Sequence, residues 1–152
     1  MIRIKVGEAA IDAATEIAAL EAAGGGAVAT FTGLVRDDGG VSELFLEHYP
    51  GATDAALERI AEDAVARWSL AAATIVHRVG AMRPGERIVF VGTAARHRAA
   101  ALDACAFLID RLKTDAPFWK REQRAEGTSW VGERAGDHDA AARWRDRGDR
   151  VS

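Results

Sequence analysis

Pro117 places the firmest limit on how this chain folds, because it stops a helix between two lysines. The stretch at positions 107–122 reads FLIDRLKTDAPFWKRE, and its first apolar residues recur at helical spacing. Proline lacks an amide hydrogen and restricts the residue before it, so the helix cannot continue. Lys113 is therefore predicted in the last helical turn. Lys120 is predicted in an extended run beyond the break, from which the chain can fold back toward Lys113.

Lysine is rare in this chain. Of its 20 basic residues 17 are arginine, and the lysines are Lys5, Lys113 and Lys120. Arginine stays protonated, whereas a lysine amine can lose its proton, act as a base or be acylated. Lys113 and Lys120 are therefore candidate catalytic residues. The alternative is that Lys113 only complements the helix dipole.

Length and composition favour a single domain. With 152 residues and 49% hydrophobic residues, the chain is long enough for one core, and we expect one domain over 1–152 with a flexible tail from about 137 to 152. The net charge of -3 argues against general binding to nucleic acid or anionic membranes. Cys105, the single cysteine, fits a reducing compartment. No signal peptide or membrane span is visible, so a cytoplasmic location is expected.

The order of predicted elements is β-α-β-β-α-β-β-α-β, which mixes hairpins with single helices. This order favours an α+β fold with a largely antiparallel sheet. Asp12 and Thr53 are predicted helix caps. Gly33, inside a predicted strand, indicates a bulge or a close approach. The predicted strands cover positions 2–6, 27–36, 41–48, 73–79, 87–93 and 128–131, with 27–36 and 41–48 forming a hairpin and 87–93 in the centre.

A basic triplet, Arg96-His97-Arg98, falls where a strand gives way to a helix. Free amide hydrogens and the helix dipole favour an anion there, so a phosphate or carboxylate would suit this position. The alternative is that the arginines are solvated and His97 only caps or packs. Arg36, at a strand end before a glycine-containing turn, is a further candidate, although a surface arginine is the commoner explanation.

Two aromatic residues stand next to two basic residues in FWKR at positions 118–121. Such a run can stack on a flat heterocycle or an unpaired base, and more often it is an edge strand whose aromatic residues face the core. No zinc-ligand spacing, phosphate-binding loop or nucleophile elbow is present, so no metal or nucleotide cofactor is predicted. Cys105 shares a helical stripe with apolar residues and is predicted to be buried.

Four sequence strings resemble the family of large, catalytic subunits of molybdopterin synthase, the MoaE family. They are FTGLVR at 31–36, LEHYPGAT at 46–53, IVHRVGAMRPGE at 75–86 and LKTDAPFWKRE at 112–122. The resemblance runs from about residue 26 to residue 144. It implies an α/β-hammerhead fold and a homodimeric core with a small ubiquitin-like subunit at each end, that is, a heterotetramer.

The resemblance also implies an activity. The small subunit, which ends in Gly-Gly, carries a C-terminal thiocarboxylate and donates sulfur to cyclic pyranopterin monophosphate, a phosphorylated pterin. Two such transfers form the dithiolene of molybdopterin, a step of molybdenum cofactor biosynthesis.

Site residues follow from the matching motifs. Lys113 would lie beside the thiocarboxylate, and Lys120 would carry a proton or stabilise negative charge. The residues expected to bind the phosphate and pterin, within one chain or across the dimer interface, are Arg36, His97, Arg98 and Arg134. Leu34 departs from the family, where lysine is common, which puts a basic contact there in doubt.

Two other functions fit the same residues. One is a non-catalytic dimeric module that binds a pterin or nucleotide through the basic residues, without turnover or a protein partner. The other is binding of single-stranded nucleic acid through positions 118–121, with affinity that falls steeply as salt rises. The acidic balance of the chain makes the second the weaker of the two.

Overall fold

Two four-stranded sheets and three helices form the part of the chain described by the computed structural model, which covers residues 1–124, 127–130 and Trp144. The helices are α1 (Ala13–Ala22), α2 (Ala52–Trp68) and α3 (Arg98–Asp115). The strands are β1 (Ile2–Gly7), β2 (Ala27–Leu34), β3 (Val41–His48), β4 (Ala72–Arg78), β5 (Gly80–Met82), β6 (Arg87–Ala95), β7 (Phe118–Arg124) and β8 (Gly127–Trp130).

The first sheet has the strand order β1-β4-β6-β2. Among its pairings only β1 with β4 is parallel. β6 pairs on both sides, which confirms the prediction of a central strand there. Its apolar residues are buried on both faces of the sheet. Val91 packs toward α2 and α3, and Phe90 packs toward α1. The α+β class is confirmed.

The second sheet has the order β5-β3-β7-β8. The predicted hairpin between 27–36 and 41–48 is wrong, because β3 pairs with β5 and β7 and belongs to a different sheet from β2. The turn after β2 redirects the chain to the second sheet instead of folding it back. β5, at Gly80–Met82, was not predicted, whereas the short strand predicted at 128–131 is present as β8.

Thr53 does not cap α2, so this prediction is also wrong. The helix begins one residue earlier, at Ala52, and Gly51 at φ 87° precedes it without a side-chain cap. The buried Thr53 hydroxyl instead accepts a hydrogen bond from the Tyr49 amide and donates one to the Pro117 carbonyl. It therefore joins the start of α2 to the peptide that separates α3 from β7.

Two local predictions are confirmed. Asp12 caps α1 by accepting a hydrogen bond from the Thr15 amide, at 3.2 Å. The pairing of β2 with β6 shifts register between Gly33 and Leu34, as a bulge requires. The predicted tail lies outside the described residues except for Trp144, which is buried against Phe107. No helix in the described part of the chain is long and apolar enough to cross a membrane.

Candidate active site

Lys113 lies in the last turn of α3, as predicted, and its side chain is exposed. The helix ends because Ala116 takes an extended conformation, with φ -91° and ψ 125°, which is the conformation that a following proline imposes. β7 begins at Phe118, immediately after Pro117. The two lysines therefore lie on either side of a rigid break.

Lys120 is half-buried on β7, opposite Leu46 of β3. Directly opposed residues of antiparallel strands place their side chains on the same face of the sheet. Leu46 is part of a buried cluster against which Phe118 packs. Lys120 therefore lies on the core-facing side of β7, while the neighbouring Trp119 is 51% exposed on the other face.

His77 packs against Phe118, which lies between Lys113 and Lys120 in the sequence. Its ring stacks on Phe118, with ring centres 4.1 Å apart and an angle of 23° between the planes. Nδ1 lies 2.8 Å from the carbonyl oxygen of Arg78, so it donates its hydrogen there and Nε2 keeps the lone pair. The pKa of His77 is lowered to about 4, mainly by burial, and the positive charge of Lys113 contributes to the lowering. Lys113 is thus within electrostatic range of the ring that supports the start of β7.

Sequence reasoning did not select His77 as a site residue. Its one visible signal is a histidine that follows the apolar and threonine residues of β4, next to Arg78 at the end of the strand. The stack on Phe118 depends on two sheets meeting, and no local pattern predicts that contact.

An open groove of about 560 Å³ lies beside the break. Small residues of α2, among them Ala52, Ala55 and Ala56, form one side of this groove. Asp115 and Pro117 are part of the other side. The groove therefore leads along the surface to the peptide between the lysines.

Arg36 lies at the same end of the molecule as Lys113. α3 runs back along β6, since Thr93 donates a hydrogen bond to the Ala101 carbonyl at 2.7 Å near the start of the helix. The end of α3 therefore returns to the start of β6, where Leu34 of β2 pairs with Arg87. Arg36 follows two residues later and is exposed.

The bulge at Gly33 fixes the approach to Arg36. The Val35 amide donates to the Glu86 carbonyl at 2.9 Å, and the Val35 carbonyl accepts from the Gly85 amide at 2.8 Å. A Cβ at Gly33 would lie 2.7 Å from Cγ1 of Val89, so the group that approaches the glycine is a side chain and not another backbone or a ligand. The backbone before Arg36 is thus held by two hydrogen bonds to the turn at Gly85 and Glu86.

The basic triplet lies at the other end of α3. Arg96, His97 and Arg98 are exposed, and His97 precedes the first turn without a side-chain cap. Fifteen helical residues separate Arg98 from Lys113, which corresponds to roughly 22 Å along the axis. The predicted position at a helix start is confirmed. Within one chain the triplet lies far from the lysines, so a cavity that both share across the dimer interface stays a prediction. Arg134 lies outside the described residues.

Other candidate chemistry is limited in the described residues. Cys105 is buried, as predicted, and burial raises the pKa of its thiol to about 11, so it is a poor nucleophile at neutral pH. Within residues 1–124 and 127–130 no group of three or more histidine, cysteine or acidic side chains is placed to hold a metal ion.

Comparison with known proteins decides the family. Residues 6–115 match the family model described as MoaE protein. The chain belongs to the MoaE family. It is 53% identical over 148 residues to the molybdopterin synthase catalytic subunit of Pseudomonas aeruginosa, a match that covers 94% of this chain and 99% of that relative.

Solved structures of the family agree with the fold. The MoaE protein from Burkholderia ambifaria superposes with a TM-score of 0.83 at 46% identity, over 95% of this chain and 98% of that one. A complex of subunits 1 and 2 of the molybdopterin-converting factor from Helicobacter pylori gives a TM-score of 0.72 at 22% identity, over 88% of this chain and 91% of that one. The MoaE fold is therefore present here.

The comparisons confirm the family, the α+β fold and the enzyme class that the sequence predicts. The chain belongs to an enzyme family whose members are named molybdopterin synthase catalytic subunits, in molybdenum cofactor biosynthesis. The geometry at the two ends of α3 bears on which residues take part in the reaction.

Proposed function

We propose that sulfur passes from the C-terminal thiocarboxylate of a small ubiquitin-like subunit to cyclic pyranopterin monophosphate at the break around Pro117. The observation that carries this proposal is the placement of Lys113 and Lys120 around the stack of His77 on Phe118, with Arg36 at the same end of the molecule. Two of the chain's three lysines lie close to this break in the sequence, Lys113 four residues before Pro117 and Lys120 three residues after it. The sulfur comes from the partner, since the chain's own thiol is buried.

The two amines have distinct roles in this proposal. Lys113, exposed at the end of α3, attracts the anionic thiocarboxylate. Lys120, half-buried, carries a proton or stabilises the negative charge that develops during transfer. In each transfer a carbon–sulfur bond forms on a carbon of the precursor, and a carbon–oxygen bond of that carbon breaks, its oxygen leaving as water or staying on the phosphate. Water then attacks the partner's acyl carbon, the acyl carbon–sulfur bond breaks, and the partner is left with a carboxylate while the sulfur stays on the pterin. Two rounds supply the two dithiolene sulfurs.

The partner subunit is proposed from the family resemblance and from the relatives' name. A catalytic subunit implies a second subunit, and the resemblance describes a small protein ending in Gly-Gly. The open groove beside Pro117 is lined by the peptide between the two lysines and has alanines along one wall, so its small side chains leave room for an extended glycine tail. The exposed aromatic pair Tyr49 and Trp119, with ring centres 6.2 Å apart, lies nearby on the surface. We expect the complex to act in the cytoplasm.

The substrate phosphate and pterin are proposed to bind between two copies of the chain. Arg36 lies near Lys113, but His97 and Arg98 lie at the far end of α3. A second copy can supply the missing pair. Arg134 is proposed to bind the substrate as well, from its place in the family motif.

The edge strand β2 is suited to bring the second copy into place. In the described part of the chain β2 pairs on one side only, with β6. It exposes Val28 by 37%, Phe31 by 38% and Leu34 by 54%. Apolar residues on an unpaired edge favour pairing with another strand.

Antiparallel pairing of β2 with its copy would solve the distance problem. Under a two-fold axis the end of each β2 lies beside the start of the other. The start of β2 at Ala27 pairs with Ala95, one residue before the basic triplet. Each Arg36 would therefore face His97 and Arg98 of the other copy.

The first experiment tests the lysines. Lys113→Ala should lower the rate of molybdopterin formation from thiocarboxylated partner and precursor by at least ~100-fold, because the amine contacts the reacting group. The matched control is Lys5→Ala, which removes the third, exposed lysine on β1. Full activity in Lys113→Ala would remove Lys113 from the mechanism, and tight pterin binding without turnover in the wild type would support a binding module instead.

The second experiment tests the shared site. Lys113→Ala and Arg98→Ala chains, each strongly impaired as a homodimer when the precursor is held well below its KM, are mixed under conditions of subunit exchange and assayed at that precursor concentration. Half of the dimers are then mixed and hold one intact site of two, so about a quarter of the wild-type activity should return. No recovery, with exchange verified by mass spectrometry, would place both residues in the same chain's site.

A further inference from the structure

Thr53 is a fully buried hydroxyl-bearing residue at the start of α2, with 0% of its surface exposed. Its Oγ1 lies 2.9 Å from the Tyr49 amide nitrogen and 2.7 Å from the Pro117 carbonyl oxygen. The Thr53 amide also donates to the Tyr49 carbonyl at 2.8 Å. One side chain thus links the end of β3, the start of α2 and the break after α3.

The directions of these hydrogen bonds are fixed by chemistry. The Tyr49 amide can only donate, so the hydroxyl accepts from it, and the hydroxyl gives its single hydrogen to the Pro117 carbonyl. Pro117 has no amide hydrogen, so the carbonyl is its only backbone hydrogen-bonding group. The Thr53 hydroxyl is therefore matched to this one acceptor.

The Pro117 carbonyl lies between the two lysines in the sequence, so its hydrogen bond to Thr53 can affect where both lysines lie. Pro117 comes four residues after Lys113 and three before Lys120. The stack of His77 on Phe118 holds the next residue from the other side. The peptide between the two amines is thus anchored at successive residues from two different elements.

We propose that Thr53 is a positioning residue for the lysine pair, and that its hydroxyl sets the separation of the two amines through the Pro117 carbonyl. The inference rests on the proposed roles of Lys113 and Lys120. Thr53 has no part in the chemistry itself, because it is buried. Its effect is on where the amines lie when the thiocarboxylate arrives.

A purely structural role predicts a different result. Loss of the hydroxyl leaves the Tyr49 amide and the Pro117 carbonyl without this partner, which lowers the melting temperature. A chain that is only less stable keeps its kcat at temperatures where it is folded. A positioning role lowers kcat in the fully folded enzyme, because misplacement by about 1 Å can cost up to ~100-fold in rate.

The experiment substitutes Thr53 in the full chain, assembled with thiocarboxylated partner and assayed with the pterin precursor. Thr53→Val keeps the shape and removes the hydroxyl, and kcat should fall ~10-fold or more while KM for the precursor stays unchanged. Thr53→Ser keeps the hydroxyl and should retain wild-type kcat. Thr53→Cys, a weaker donor of similar size, should fall between them and replaces the valine variant if that variant does not fold.

A control matched for stability comes from the opposite face of the first sheet. Ile11 is buried in the cluster against α1, away from the break, and Ile11→Val should lower the melting temperature without a change in kcat. Wild-type kcat in folded Thr53→Val, or in Thr53→Cys if the valine variant does not fold, would overturn the inference. An equal loss in Thr53→Ser would overturn it too, because packing and not the hydroxyl would then matter.

A parallel Lys113→Ala arm separates this inference from the proposed function. If Lys113→Ala keeps full activity, the role of the lysine fails, and the positioning inference fails with it. If Lys113→Ala is inactive while Thr53→Val matches Ile11→Val, the lysine role stands and only the inference about Thr53 is refuted.

Discussion

The two ends of α3 carry positive charge in opposite ways. At its C-terminal end the chain around Pro117 is held by the buried Thr53 hydroxyl and by the stacked ring of His77. At its N-terminal end His97 and Arg98 are exposed, and no side chain in the described part of the chain caps the helix. The C-terminal end is thus held by contacts within the chain, whereas the side chains at the N-terminal end are exposed to solvent.

This difference separates rigid positioning from adaptable binding. A buried, hydrogen-bonded group adopts one geometry, which suits amines that must meet a reacting atom. Long exposed arginines lose side-chain entropy only when the ligand arrives, which suits capture of a phosphate. Substitutions at the C-terminal end should therefore change kcat or stability, and those at the N-terminal end should change substrate binding.

Arg98→Ala should give the largest effect of this kind at the N-terminal end. A charge-assisted hydrogen bond to phosphate is worth about 1.5–3 kcal/mol, so KM for the precursor should rise ~10- to 100-fold, with an unchanged melting temperature. Steady-state kinetics and a thermal melt measure both. Arg83→Ala, at another exposed arginine, should change neither. A fall in kcat alone would contradict the assignment of Arg98 to binding.

His77, at the C-terminal end of α3, makes the stability of the folded chain depend on pH. Because burial holds its pKa at about 4, below the ordinary 6.5, the unfolded chain takes up a proton that the folded chain does not as pH falls through this window. Stability is therefore lost as pH falls from about 6.5 toward 4, by about 2 kcal/mol between pH 7 and pH 5. Urea unfolding at the two pH values should show this loss.

The matching variants locate that loss. His77→Phe keeps a ring to stack on Phe118 and should remove most of the dependence on pH. His97→Phe, at the exposed helix start, should leave the dependence as in the wild type, because His97 is solvated. Equal pH dependence in wild type and His77→Phe would mean that another group is responsible.

Gly33→Ala should have the smallest effect, at the approach to Arg36. The added methyl would lie 2.7 Å from Cγ1 of Val89, and overpacking of this kind costs on the order of 1 kcal/mol. Gly7→Ala is the control, since nothing lies within 4 Å of a Cβ there. Denaturant midpoints compare the two. Equal stability of both variants would show that the bulge relaxes freely.

The parts of the fold that were predictable depend on neighbours in sequence. The helix end before Pro117, the Asp12 cap and the bulge at Gly33 each follow from local backbone rules, and each is confirmed. The pairing of β3 does not follow from such rules. A turn at 37–40 is compatible with a hairpin, but the chain continues into a different sheet, whose strand β7 lies far along the sequence.

The candidate site divides in the same way. Lys113 and Lys120 stand out because the chain otherwise uses arginine, a signal that composition alone provides. Thr53 and His77 give no such signal, because their importance comes from contacts with Pro117 and Phe118. The Thr53 contact spans 64 positions of sequence. Such contacts exist only once the two sheets and α2 are assembled.

The open edge of β2 has a cost for a newly made chain. Until it is covered, unpaired backbone groups beside exposed Val28 and Phe31 present a template on which other chains can aggregate. Aggregation is therefore expected to increase when assembly is slow or when unassembled chains are in large excess. The same strand that offers each molecule a partner thus sets an upper limit on how long it can safely remain alone.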